Sequence, residues 1–129
     1  MSEERRYQKI EAVLRAEGYS VELRTKKDRS IRFSLYIDDS FRQVLIEDLG
    51  LSERSKNCLK RAGINNIGEF TERIKSSSDL KAIRNCGTKC VAEIMQALWL
   101  YQYQLFDIKG KRTYIEELIR LNADDIERR

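Results

Sequence analysis

The chain has 129 residues, with 25 Lys and Arg against 21 Asp and Glu, three Cys, no Pro and no His. A hydrophobic share of 41% is enough to bury a core, which excludes wholesale disorder, and no apolar run is long enough to span a bilayer. The lack of His excludes imidazole acid–base chemistry and His-ligated metal. The net charge of +4 comes from interleaved signs, so any bound anion is held by a few placed charges rather than by a bulk field. The charged N-terminal residues lack an apolar signal region. An odd cysteine count without disulfide spacing points to a reducing, cytoplasmic compartment.

In order along the sequence, Tyr7, Ile10, Val13 and Leu14 share a face at helical spacing, and Gly18 is placed to end that helix. Alternation then changes to period two at Val21 and Leu23 and again at Ile31, Phe33, Leu35 and Ile37, around the polar stretch Thr25–Ser30. This predicts a β-hairpin that packs on the first helix or the next domain. From about Leu45 the pattern is helical. Ser52 caps a helix that runs to Arg61, and Asn65-Asn66 opens a second with Ile67, Phe70 and Ile74. Ser78 caps a brief helix through Leu80 and Ile83. After the turn Asn85-Cys86-Gly87, a long helix starts near Thr88 and carries Val91, Ile94, Met95 and Leu98. Leu105–Ile108 is expected as a short strand broken by Gly110. Thr113 and Glu116 have capping-box spacing for a last helix with Tyr114, Ile115, Leu118 and Ile119. Residues 124–129 are expected to fray.

The segment Leu80–Ile94 has the form helix, tight turn, helix. Gly87 at the turn allows close backbone approach to a phosphate. The amides of residues 87–89 open a helix and so favour an anion, and Lys89 adds a point charge. That is a helix-hairpin-helix pattern for sequence-independent grip on a nucleic-acid backbone. An ordinary interhelical turn with a solvated lysine fits the same spacing.

A second stretch adds to it. Arg54-Ser55-Lys56-Asn57-Cys58-Leu59-Lys60-Arg61-Ala62-Gly63-Ile64-Asn65, then Ile67-Gly68-Glu69, then Ile83-Arg84-Asn85 with Gly87 and Lys89, then Glu93-Ile94, resembles the C-terminal domain of the bacterial RNA polymerase alpha subunit in order and spacing. The resemblance covers about Ile46 to Leu100. It implies a compact bundle of short helices that binds A+T-rich double-stranded DNA, mainly through the minor groove. By the same resemblance Arg54 enters the groove, and Asn57 and Cys58 stand beside it. Gly87 and Lys89 contact phosphate. Cys90 stands where the family usually has Ser, a stronger donor, and Glu93 orients Arg54 or a neighbouring donor. Asp48 matches one acidic position that touches sigma factor in the family, whereas Gly50 replaces another. The alpha subunit carries a large N-terminal assembly domain, and here only about 45 residues precede the match. A stand-alone protein carrying the module is therefore expected.

Residue chemistry agrees with that grouping. Arg54 and Asn57, at i,i+3, share a helix face, and arginine suits a narrow, strongly negative groove. No metal site is expected, because Cys86 and Cys90 are an i,i+4 pair, Cys58 is remote in sequence, and structural zinc takes four ligands. No cofactor signature is present. Lys26, Lys27 and Arg29 crowd the predicted hairpin tip, either as a basic ribbon for a groove or as a solubilising turn. Trp99, Tyr101 and Tyr103 are expected in the core rather than as a stacking surface.

The expected architecture is α+β, mostly α. It comprises a helix-plus-hairpin element at 1–44, a four- to five-helix DNA-binding module at 45–104, and a strand-and-helix extension at 105–129. The expected function is non-enzymatic DNA binding in bacterial or phage transcription, with RNA polymerase, a sigma factor or a regulator as a further partner and no membrane. Two alternatives are an adaptor for RNA polymerase or a regulator, in which Glu47 and Asp48 matter most, and an accessory helix-hairpin-helix domain of a DNA-processing system.

Overall fold

The computed structural model describes residues 7–23, 36–75, 77–123 and 126–128. Among the described residues, six helices and two short strands follow one another: α1 (Gln8–Ala16), β1 (Val21–Leu23), α2 (Glu53–Arg61), α3 (Ile67–Arg73), α4 (Ser77–Lys81), α5 (Thr88–Leu105), α6 (Ile108–Leu121) and β2 (Ile126–Arg128). Two 3-10 turns, Asp39–Phe41 and Ile46–Leu49, lead into α2.

Local chemistry accounts for the helix boundaries of the central segment. The Ser52 side chain accepts the Ser55 N–H at 3.3 Å and starts α2. Asn66 accepts the Glu69 N–H at 2.7 Å and starts α3, while Glu69 Oε1 accepts the Asn65 N–H at 2.7 Å. Beyond Arg61 the backbone turns at Gly63, whose φ of +82° is open to glycine and strained for other residues.

α5 is the spine of the molecule. Val91, Ile94, Met95, Leu98 and Trp99 are buried on it, together with Ile10 and Leu14 of α1 and Tyr114, Ile115 and Leu118 of α6. Its glutamines tie the flanking segments down. Gln96 Oε1 accepts the N–H groups of Lys9 and Ile10 at 2.9 and 3.3 Å, which satisfies the first turn of α1. Gln102 Oε1 accepts the Asp38 N–H at 2.9 Å, and its Nε2 donates to Tyr114 Oη at 2.7 Å. Trp99 stacks with Tyr103 and Tyr114, at centroid distances of 4.9 and 5.2 Å. The aromatic residues of α5 thus pack inward, with Tyr101 half-buried and edge-on to Phe41 at 6.2 Å.

Several expectations are corrected. Among the described residues β1 pairs antiparallel with β2, Val21 opposite Arg128 and Leu23 opposite Ile126, a pairing the sequence reading did not expect; the expected second arm of the hairpin falls largely outside the described residues. Residues 24–35, including the basic tip Lys26, Lys27 and Arg29, lie outside the described residues. The same pairing makes residues 126–128 a strand rather than a frayed end. Leu105 closes α5 and Asp107 caps α6, so there is no strand at 105–108. Asp107 Oδ1 accepts the Gly110 N–H at 2.7 Å, and this cap starts the helix one and a half turns before Thr113. Thr113 instead donates back to the Lys109 carbonyl at 3.1 Å. Gly110 does not break the helix. A Cβ there would lie 3.1 Å from Phe106 Cβ, so glycine gives Phe106 room to close the corner. Ser78 lies inside α4, which ends at Lys81, short of Ile83.

Candidate functional site

The N-termini of α2 and α5 meet at one edge of the molecule, joined by Glu93. Its carboxylate accepts the Ser52 N–H at 2.7 Å, Ser52 Oγ–H at 2.9 Å and Ser55 Oγ–H at 2.5 Å. Burial acts to raise the Glu93 pKa, but the hydrogen bonds from Ser55 and Ser52, with the nearby Lys9 charge, outweigh it and hold the carboxyl below its usual value. Ser55 is fully buried and also lies 3.3 Å from Cys90 Sγ. Since its one hydroxyl proton goes to Glu93, the thiol is the donor in that contact. Glu93 therefore orients the start of α2, and it does so through Ser52 and Ser55 rather than through Arg54.

Arg54 and Lys89 occupy equivalent places, each at the second residue of its helix. Both are exposed, and among the described residues neither takes part in an ion pair or side-chain hydrogen bond. Three other cations of the central segment are engaged, Lys56 with Glu53 at 2.7 Å, Lys60 with Glu47, and Arg42 with Glu72 at 2.9 Å, whereas Arg61, Arg73 and Arg84 resemble Arg54 and Lys89 in making no such contact among the described residues. Asn57 is exposed on α2 one turn beyond Arg54. Gly87 is the extended N-cap residue of α5, exposed and with no side-group acceptor of its own. The first amides of α5 are thus left to face an external acceptor, while Asn85 before them holds a φ of +68° that Asn tolerates better than most residues.

Cys58 and Cys90 sit behind this edge. Both are buried, Cys58 2% exposed and Cys90 8%, so they support the edge more than they line it. Cys58 Sγ–H donates to the Arg84 carbonyl at 3.5 Å and fixes the turn to α2. The third thiol, Cys86, is pushed up to about 12 by burial and by the neighbouring Cys58 and Cys90 thiols. A thiol raised so far is a poor nucleophile and ligand at neutral pH. Among the described residues no group of three or more His, Cys, Asp or Glu is arranged to hold a metal ion. No helix among them is long and apolar enough to cross a membrane.

The structure thus leaves Arg54, Asn57, Gly87 and Lys89 exposed on two helices whose first turns touch through Ser55 and Cys90, with Glu93 tying the helices together and Cys58 and Cys90 buried. Sequence reading missed Ser55 as the partner of Glu93. The signal was present in the Arg54-Ser55 pair, since a buried serine needs a partner, but nothing local points 38 residues ahead.

Comparison with known proteins bears on the same segment. The family of the C-terminal domain of the alpha subunit of bacterial RNA polymerase matches residues 38–99. The DNA-directed RNA polymerase subunit alpha of Carboxydothermus hydrogenoformans is 51% identical over 53 residues, 41% of this protein and 16% of that one. The Leuconostoc mesenteroides subunit is 55% identical over 53 residues, with the same coverage. That of Desulfitobacterium hafniense is 39% identical over 79 residues, 61% of this protein and 22% of its own length. The match therefore spans about a fifth or less of the length of these curated relatives. No solved structure matches. The likeness to the C-terminal domains of bacterial RNA polymerase alpha subunits is thus confined to the helical module between Asp38 and Trp99.

Proposed function

We propose that this protein is a non-enzymatic, double-stranded-DNA-binding protein of bacterial or phage transcription, and that its central module grips A+T-rich duplex through the minor groove and the phosphate backbone. The observation that carries this reading is the contact between the first turns of two helices, each with an exposed cation at its second residue that is unpaired among the described residues. A helix N-terminus favours an anion through its open amides and its dipole. Two of them side by side match a surface that presents phosphates at regular spacing. Arg54 is the groove reader, because a guanidinium suits the narrow, negative groove of A-tracts. Asn57 stands beside it, Gly87 and Lys89 hold phosphate, and Glu93 keeps the two helices in register. The family of the module supports RNA polymerase or a regulator as a second partner, with Asp48 exposed for that contact.

The test is fluorescence anisotropy with matched A+T-rich and G+C-rich duplexes at two salt concentrations, with Arg54→Ala alongside. The reading expects binding that weakens steeply with salt, favours the A+T duplex, and loses both affinity and preference in the variant. Binding that ignores Arg54 removes the minor-groove assignment. Absence of binding removes the DNA-binding function, and co-purification with RNA polymerase then tests the adaptor reading.

A further inference from the structure

One turn beyond the candidate edge, α2 continues into a second basic concavity. Arg54, Asn57, Cys58 and Arg61 follow i, i+3, i+4, i+7 spacing and so share one face of the helix. At the far end of that face is a cleft of about 460 Å3, lined by Arg61, Arg73 and Arg84 with Cys58, Asp79 and Asn85 among its walls. Three segments that are distant in sequence supply the arginines: the end of α2, the end of α3, and the turn before α5.

All three arginines are exposed, and among the described residues their guanidinium groups make no hydrogen bond or ion pair. One acid faces them. Asp79 holds the Lys75 N–H on its Oδ2 at 2.8 Å, so the cleft keeps an excess of positive charge. Two contacts fix its shape. The Cys58 thiol bonds the Arg84 carbonyl, which locks the turn to α2. A Cβ at Gly63 would sit 3.6 Å from Arg73 Nη1, so the guanidinium of Arg73 lies close over a turn that only glycine occupies without strain.

We propose that this cleft is a second phosphate site, which takes a backbone phosphate of the same duplex that Arg54 and Lys89 hold; the inference rests on the DNA-binding reading above. Arg61 lies seven residues past Arg54, about 10 Å along the helix axis, which corresponds to about three base-pair steps of duplex. α2 would thus lie along the backbone, with the groove reader at its start and the phosphate clamp at its end. Arginine is the fitting residue, since its planar fork takes two oxygens of one phosphate. The contact carries no base preference and sets position and affinity.

Arg61 and Arg73 also stand in the last turns of their helices, where a cation complements the carbonyl end. The experiment separates the two roles. The triple variant Arg61→Gln, Arg73→Gln, Arg84→Gln is compared with the wild type for duplex affinity between about 50 and 200 mM salt, a range over which phosphate contacts dominate the loss, and for thermal unfolding without DNA. The proposal expects A+T and G+C duplexes to weaken by the same factor. It also expects the plot of log affinity against log salt to flatten by about 0.9 per phosphate lost. A shifted melting curve with an unchanged slope means that the arginines only complete helix ends, and overturns the proposal. Inorganic tripolyphosphate is the third probe. If it raises the melting temperature of the wild type but not of the triple variant, while the duplex slope is the same in both, the cleft serves a free polyphosphate and the DNA assignment falls. If the wild type itself binds no duplex, the DNA-binding function fails, and the clamp with it. A wild type that binds through Arg54 with no slope difference in the triple variant leaves that function intact and removes the clamp alone.

Discussion

Lys89 stands against the electrostatics of its own helix. It is the second residue of α5, where the dipole is positive, and no acid occupies that first turn. A cation at such a place opposes its helix by about 0.3–1 kcal/mol. Arg54 repeats the arrangement on α2, with Glu53 beside it already paired to Lys56. Lys89→Glu should therefore leave the fold as stable as the wild type or slightly more so, while duplex affinity falls by tenfold or more. Thermal melts and anisotropy on one preparation read both quantities. A variant that melts earlier and binds as before would show Lys89 to be a structural residue. Of the site, the sequence carried whatever is local: Arg54 and Asn57 on one face, and Gly87 and Lys89 at a helix start. What it hid was tertiary. That Glu93 acts on Ser52 and Ser55, and that the Cys58 thiol meets the Arg84 carbonyl, depends on how α5 crosses α2.

Among the elements, α1 depends on another helix to finish its first turn. The side chain of its N-cap residue Tyr7 does not cap it, and Gln96 from α5 accepts the first amides instead. Gln96→Ala leaves two amides without that acceptor, one of them at fully buried Ile10. It should destabilise the protein by about 1–2 kcal/mol, measured as a lower urea midpoint with an unchanged slope. Gln96→Glu keeps an acceptor at the same reach and should recover part of the loss. Equal midpoints for wild type and Gln96→Ala would mean that the contact contributes nothing. The legible elements were those with their signals inside or beside them: Ser52 before α2, Asn66 before α3, and Gly87 before α5. The errors fell where two signals competed or where pairing is remote. Asp107 outranked Thr113 as a cap because it comes first and the helix can run through Gly110. Alternation marked Val21 and Leu23 as strand residues, but periodicity says nothing about which strand a ladder joins.

At the scale of the molecule, a single hydrophobic cluster runs from Tyr7 and Ile10 in α1, through Ile46, Leu59, Ile67 and Phe70 of the module, to Ile115 and Ile119 in α6. Segments that share one core unfold together. Trp99 is fully buried on α5 within it. Near-ultraviolet dichroism of the aromatic cluster and far-ultraviolet dichroism of the helices should therefore trace one coincident transition. Two separated transitions would show that the flanking segments melt independently of the module. The pairing of β1 with β2 also sets an order in time. Val21 and Arg128 are more than a hundred residues apart in sequence, and joining them early means closing a very long loop for a few hydrogen bonds. The helices, built on near contacts, form sooner. During synthesis β1 leaves the ribosome long before its partner exists, so this small ladder is the clasp that shuts after everything it encloses is already in place.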